Sequence, residues 1–388
     1  MCKKRLFQLL SYVLVAVMTA TVTVAVILFS GIGTAGSGKL QQLENLILDR
    51  YIEDVDQSKL EDAAADAMIS ALSDRWSYYL TAQEYAAHYE QEKNAYVGIG
   101  VSIDGKNYQK GVHILSVTEG GPAEEAGVLA QDLIIAVNGE SIVGKELDAV
   151  QTMIKGKENT TVELTVLREE EELKLTVIRR TIRTPVATAQ MLKGNIGLVT
   201  IRNFNANCAE ETIAAIEQLL NDGAERLIFD VRNNPGGYVE ELVKVLDYLL
   251  PEGVVFRSEN YNGKTDEERS DAACLEIPMA VIVNSNSYSA AEFFAAALSE
   301  KDWAKVVGEQ TSGKGYYQIM YRLADGSAVG LSVGKYYTAE GKSLEGVGFT
   351  PNVTVPVDEQ TAASIYAGTL KPEEDPQIQA AINALKAQ

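Results

Sequence analysis

Met279-Ala280-Val281-Ile282-Val283-Asn284-Ser285-Asn286-Ser287-Tyr288-Ser289-Ala290-Ala291-Glu292-Phe293-Phe294-Ala295-Ala296-Ala297-Leu298 reads as a strand, a corner and a helix. The first five residues are an apolar run of strand type, Asn284 to Ser287 carry turn chemistry, and the run from Ala290 is a strong helix former. Ser289 therefore belongs at a strand-to-helix corner, where the first helical amides lack backbone partners and the helix dipole is positive. An oxyanion held beside Ser289 can be stabilised there by the amide of Ala290. Glu292 in the first turn suits the same dipole.

A second apolar run, Val306-Val307, leads into Gly308-Glu309-Gln310-Thr311-Ser312-Gly313-Lys314-Gly315. Glycines on both sides of Lys314 let the backbone turn tightly and bring the amine inward. A lysine serves as base to a serine hydroxyl only if desolvation leaves the amine neutral at working pH. Gln318 follows four residues later in Tyr316-Tyr317-Gln318-Ile319-Met320-Tyr321; on a strand its side chain shares a face with Lys314, and its amide can orient the amine. Residue by residue, plainer roles stay open: Ser289 as a helix cap and Lys314 as an exposed loop lysine.

The 388 residues carry a net charge of −20 and are 46% hydrophobic, enough for two or three domains with ample core. Setting aside Lys3, Lys4 and Arg5 makes the remainder more acidic still, which argues against a nucleic-acid or anionic-membrane surface. Residues 6–38 contain no charged side chain, and residues 7–29 are long enough and apolar enough to span a bilayer. The basic cluster ahead of this run places the N-terminus in the cytoplasm. The expectation is an uncleaved anchor with everything after Lys39 exported; cleavage near Thr34-Ala35-Gly36 is the alternative. Of three cysteines, Cys2 precedes the anchor, and Cys208 and Cys274 cannot be paired from sequence. No metal-type spacing is present, so no metal and no cofactor are expected. With His88 and His113 the only imidazoles, and both in element patterns, a histidine-based triad has little to work with.

Residues 39–94 are mostly helical in pattern, with capping-box spacing at Ser58/Glu61 and Thr81/Glu84. Asp74-Arg75-Trp76-Ser77-Tyr78-Tyr79-Leu80 reads as an aromatic turn whose expected role is packing. From Ala95 the period becomes that of strands and turns. Tyr96-Val97-Gly98-Ile99-Gly100-Val101, followed by Gly120-Gly121-Pro122-Ala123 through Asp132-Leu133-Ile134-Ile135-Ala136-Val137-Asn138-Gly139, resembles a PDZ domain. The resemblance implies that the Gly98, Ile99 and Gly100 loop aims amides at a terminal carboxylate while the peptide adds as an edge strand. Gln131 departs from it, standing where glycine is usual. Strands then alternate with helices from Ile196 onward, through Leu227-Ile228-Phe229 and Asp230-Val231-Arg232-Asn233-Asn234-Pro235-Gly236-Gly237, which suggests a layered α/β core.

Ser287-Tyr288-Ser289-Ala290-Ala291-Glu292, with Lys314 25 positions after Ser289 in the glycine-rich loop, resembles the active-site segment of the carboxyl-terminal processing, or tail-specific, proteases. The resemblance spans roughly residues 40–388. It implies Ser289 as nucleophile, Lys314 as base and Gln318 as third member, with a glycine amide of the Asn-Pro-Gly-Gly corner in the oxyanion hole, Gly236 as first choice and Gly237 as second. Tyr288, Ala291 and Ser312 depart from the family's usual residues without removing a reacting group. The implied fold is a layered crotonase/ClpP-like α/β protease core with an inserted β-rich PDZ domain, N-terminal helices and a transmembrane anchor. The expected divisions are 1–38 cytoplasmic stub and anchor, 39–94 helical region, 95–182 PDZ domain, 183–356 catalytic domain and 357–388 linker and helix. The expected function is a cell-membrane, single-pass serine endopeptidase with its catalytic part outside the cytoplasm, acting on proteins or peptides with free apolar C-termini. A homodimer is left open. The competing class is a non-catalytic PDZ scaffold with a retired protease-like domain.

Overall fold

A computed structural model describes residues 17–19, 38–104 and 109–386. The expected membrane span, residues 7–29, lies outside the described residues apart from 17–19, and among the described residues no helix is long and apolar enough to cross a membrane. The chain divides into two compact units, 1–73 and 74–388. That division falls inside the stretch read from sequence as one helical region.

The first unit contributes helices Lys39–Arg50 and Gln57–Ser70, tied by a hydrogen bond from Gln57 to Glu44 of 3.0 Å. Its second helix is capped by Asp56, which accepts from the Lys59 amide, and not by the predicted Ser58/Glu61 box. An acidic cap satisfies an orphan amide and meets the positive helix end at once. The Thr81/Glu84 box, in the second unit, forms as its spacing predicts, at the start of Ala82–Glu92.

In the second unit the PDZ segment is a sheet in the order Val101–Asp104, Val112–Val117, Leu133–Val137, Thr161–Arg168, Glu171–Ile178. It has its own apolar core around Ile114, Ile134, Leu164 and Val166. Its entry and exit are clasped together by the pairing of Ala95–Gly98 with Arg180–Arg183. The insertion can thus fold around its own core without interrupting the sheet that follows.

The six-stranded central sheet runs Ala187–Leu192, Ile196–Ile201, Arg226–Asp230, Met279–Val283, Ala304–Gly308, Val353–Thr354; the first pair is antiparallel and the rest parallel. Its central strands are apolar on both faces because both are covered. Met279, Val281 and Val283 face helices Cys208–Asn221, Val239–Leu249 and Ala290–Glu300, while Ala280 and Ile282 face the final helix, Pro376–Leu385. The polar stretch after residue 356 holds a helix the sequence pattern did not reveal, Glu359–Tyr366, capped by Asp358. A second sheet joins Tyr78–Leu80, Ala328–Thr338, Gly253–Asn260 and Thr265–Ser270, with Tyr316–Arg322 also on Ala328–Thr338. Cys208 and Cys274 are free thiols, and burial pushes that of Cys208 up to about 12.

Candidate active site

The corner expected at Ser289 is present and strained. Strand Met279–Val283 ends, the chain turns, and Ser289 caps helix Ala290–Glu300 with φ 56° and ψ −124°. A non-glycine residue held there costs on the order of 1–3 kcal/mol and persists only where its surroundings over-determine it. They do so here. The Tyr288 amide donates to the Asn234 carbonyl at 3.1 Å, and Ser287 Oγ donates to the Val231 carbonyl at 2.7 Å. Glu292 Oε2 accepts from the Ser289 amide at 2.9 Å.

Glu292 does far more than complement a dipole. Its side chain is fully buried, and its two oxygens accept from the Thr311 hydroxyl and from the amides of Gly313 and Lys314, both at 2.8 Å, as well as from Ser289. One carboxylate therefore fastens the residue carrying the hydroxyl to the residue carrying the amine. A buried charge is tolerated when every lone pair is met, and then it rigidifies what it touches.

Burial pulls the Lys314 amine below its ordinary value, opposed by the carboxylates of Asp74, Glu345 and Glu292. This is the direction a general base requires. Nζ lies 5.2 Å from the centroid of the Trp76 ring and 5.8 Å from that of Tyr288. Gln318 does not meet it: its amide donates to the Tyr316 carbonyl at 3.2 Å and to Ser332 Oγ at 3.0 Å. The shared-face expectation fails because Lys314 precedes the strand Tyr316–Arg322 and the register against Ala328–Thr338 shifts between Tyr317 and Gln318. Such a bulge breaks the alternation of faces.

The two glycines of the Asn-Pro-Gly-Gly corner divide the work differently from the expected order. Gly236 makes the close approach: a methyl group on it would lie 2.8 Å from Ser289 Cβ and 3.0 Å from the Ala290 nitrogen. Its amide, however, is committed to the side chain of Asn234 at 2.8 Å, whereas the amides of Gly237 and Ala290 donate to no described residue. Gly236 at φ 91° thus supplies space, and Gly237 supplies the uncommitted donor.

The aromatic turn at 74–80 packs as expected, but onto this site. Tyr78–Leu80 pairs with residues 328–330, and Trp76 stacks on Tyr288 at 6.3 Å. Trp76 Nε1 donates to Glu345 at 2.9 Å, whose other oxygen accepts from the Gly315 amide at 2.7 Å. Asp74 accepts from the Trp76 amide and from Ser77 Oγ. Burial works to raise the Asp74 carboxyl, but hydrogen bonds from Ser332, Ser77 and Trp76 prevail and hold it below its ordinary value. Among the family departures, Tyr288 faces Trp76, Ala291 is buried in the helix, and the Ser312 amide donates to Ser287.

Gly98, Ile99 and Gly100 line a separate groove of about 210 Å³ with Val101, Ile103 and Ile154. The carbonyls of Ile99 and Gly100 are bonded to Ala123 and Thr118, while their amides donate to no described residue. Strand Val101–Asp104 is an edge, pairing on one side only, so an extended peptide can add beside it.

A hydroxyl on a strained helix corner, an amine that burial shifts toward its neutral form and amides that donate to no described residue are the means of acyl transfer, and an open edge strand beside an apolar groove makes the class a PDZ-bearing serine peptidase. The profile of peptidase family S41 matches residues 195–355, that of a PDZ domain residues 113–168, and that of the activating protease CtpB N-terminal domain residues 30–84. A probable CtpA-like serine protease of Staphylococcus aureus (strain COL) is 33% identical over 364 residues, 91% of this chain and 73% of that protein. One from Staphylococcus epidermidis is 33% identical over 321 residues, 82% of this chain and 65% of that protein. In fold, the crystal structure of a putative S41 protease from Bacteroides fragilis NCTC 9343 aligns over 89% of this chain and 97% of its own, with a TM-score of 0.51 at 16% identity. The chain belongs to peptidase family S41 and is a CtpA-like serine peptidase.

Proposed function

We propose that the chain is a membrane-anchored, extracytoplasmic endopeptidase that takes protein substrates by free, apolar C-termini and cuts them with Ser289 and Lys314. Ser289 Oγ attacks the scissile carbonyl carbon as its proton passes to the neutral Lys314 amine. The amides of Ala290 and Gly237 receive the oxyanion, with Gly236 leaving the room. The Lys314 ammonium then returns the proton to the leaving amine, and water releases the acyl group by the same route in reverse. Gln318 contributes through Ser332, which hydrogen-bonds Asp74, a carboxylate whose charge acts on Lys314.

The observation that carries the assignment is the Glu292 carboxylate, whose Oε2 accepts from the amides of both Ser289 and Lys314. Such a connection holds two reacting side chains in register across 25 residues of sequence. The PDZ groove, lined by Ile99, Val101, Ile103 and Ile154 and by a loop whose Ile99 and Gly100 amides donate to no described residue, supports recognition of a chain terminus. The uncharged run 7–29 behind Lys3-Lys4-Arg5 supports the anchor and its orientation.

Mass spectrometry of products from a defined unfolded substrate with an apolar C-terminus tests the chemistry. Wild type yields internal cuts, and Ser289→Ala and Lys314→Ala lose at least about 10⁴-fold in kcat; undiminished turnover in either variant overturns the assignment. For the anchor, residues 39–388 of the expressed chain should be digested by protease added outside intact cells; protection of that part overturns the proposed orientation.

A further inference from the structure

Something must hold the Lys314 side chain, because a four-carbon stem ending in an amine has about 2 kcal/mol of rotamer freedom to lose. The glutamine that would do so points at Ser332. The neighbouring carboxylates are engaged elsewhere: Asp74 by Trp76 and Ser77, Glu345 by Trp76 Nε1 and the Gly315 amide, Glu292 by its four donors. What remains beside the amine are the rings of Trp76 and Tyr288, at 5.2 and 5.8 Å from Nζ and stacked on each other with 24° between their planes.

We propose that Trp76 and Tyr288 form an aromatic clamp that positions the Lys314 amine and stabilises the ammonium it becomes on accepting the serine proton. Both are positioning residues acting through Lys314, and the proposal rests on the serine/lysine reading above. When the Oγ–H bond of Ser289 breaks and an N–H bond forms on Lys314, a positive charge appears at Nζ as a negative one appears on the oxyanion. Ring faces attract that cation and leave a neutral amine nearly unaffected, so the clamp favours the transition state over the resting base. A carboxylate in contact would instead keep the lysine protonated before reaction. The indole is fixed at both ends of the site: its Nε1 is bonded to Glu345, which also holds the residue after Lys314, and its ring lies on the residue before Ser289.

The groups bearing on Lys314 are Asp74 and Trp76 from the aromatic turn, Tyr288 and Glu292 from the serine corner, and Glu345 from the loop beyond Ala328–Thr338. Arg75 also stacks on Trp76, 4.0 Å from the ring centroid. With these left in place, Trp76→Leu and Tyr288→Leu keep the site apolar and remove the ring faces, Trp76→Leu also losing the Nε1 bond to Glu345, a loss that Trp76→Phe shares. The ammonium then loses stabilisation, so plateau kcat falls about tenfold in each, KM changes little, and the acid limb of the kcat profile moves to lower pH. Loosened packing would admit water and move that limb upward. Trp76→Phe and Tyr288→Phe keep a ring and recover most of the rate, although Trp76→Phe loses the bond to Glu345.

The experiment is steady-state kinetics across pH for these four variants beside Ser289→Ala and Lys314→Ala, on a defined unfolded protein substrate. Equal losses in Leu and Phe variants, or a limb that stays or moves upward, overturn the clamp. If the Leu variants do not fold, tetrafluorotryptophan at position 76 keeps the shape and weakens the ring face; it gives the same loss of plateau, and an unchanged rate overturns the clamp. Activity retained in Lys314→Ala overturns the serine/lysine reading itself, whereas a dead Lys314→Ala beside wild-type Leu variants overturns only the clamp.

Discussion

The PDZ groove and the serine corner each end in glycine-bearing turns with amides that donate to no described residue, yet they are built by opposite means. The groove is an open edge: strand Val101–Asp104, the apolar residues Ile99, Ile103 and Ile154, and the left-handed Gly100 at φ 79°, with no non-glycine backbone strain in the loop itself. The corner is a closed knot, with a serine forced to positive φ, a fully buried carboxylate and a partly buried amine. Binding a chain end needs only complementary backbone, which any sequence of the right pattern supplies. Making a hydroxyl react needs groups held where they would not rest alone, and the holding residues come from far apart in the chain.

The sharpest way to break the corner is to remove its buried carboxylate. Glu292→Ala leaves the amides of Ser289, Gly313 and Lys314 and the Thr311 hydroxyl without an acceptor. The expected cost is about 10²–10³-fold in kcat together with a lower Tm, because several buried donors lose their partner at about 1–3 kcal/mol each; kinetics and calorimetry on one preparation measure both. Breaking the groove costs less. Amidating the substrate's C-terminus removes the carboxylate that the Ile99 and Gly100 amides would receive and lowers kcat/KM about tenfold, roughly the value of one charged hydrogen-bond partner. A short internal peptide without a recognisable tail should be cut equally well as acid or amide.

Smaller effects separate the two regions by stability. Lys314→Met removes an amine whose pKa in the folded chain lies below that in the unfolded chain. Over the window between those two values the unfolded state binds more protons, so wild-type stability rises with pH there, and below the window the full penalty of burying charge remains. The variant is therefore inactive but melts higher at neutral pH, on the order of 1–3 °C, and the gap closes as pH approaches the ordinary lysine value of about 10.4. In the PDZ segment the residue standing where glycine is usual, Gln131, has φ 74°. Gln131→Gly should raise the stability of that segment by about 1 kcal/mol, read by denaturant unfolding, without altering the groove.

Much of this was legible in the chain because it is local. The apolar run 279–283, the turn residues after it and the helix formers from Ala290 define the corner whatever surrounds them, and the glycine patterns at 98–100 and 120–139 define the PDZ segment. What escaped depends on partners remote in sequence. The choice between Gly236 and Gly237 turns on the Asn234 side chain, which occupies the first amide. Gln318 is displaced by a register shift that no hydrophobic pattern announces. The aromatic turn reaches the site only because Tyr78–Leu80 pairs with a strand some 250 positions later, and Glu292 looked like a helix-dipole residue because its other three donors lie 19 to 22 positions on.

The most direct measurement is covalent labelling with a fluorophosphonate, located by peptide mass spectrometry in wild type and in Lys314→Ala. Labelling confined to Ser289, and lost when Lys314 is removed, is the expected result. Labelling at another residue, or equal labelling of Ser289 without Lys314, would contradict the coupling of that hydroxyl to that amine.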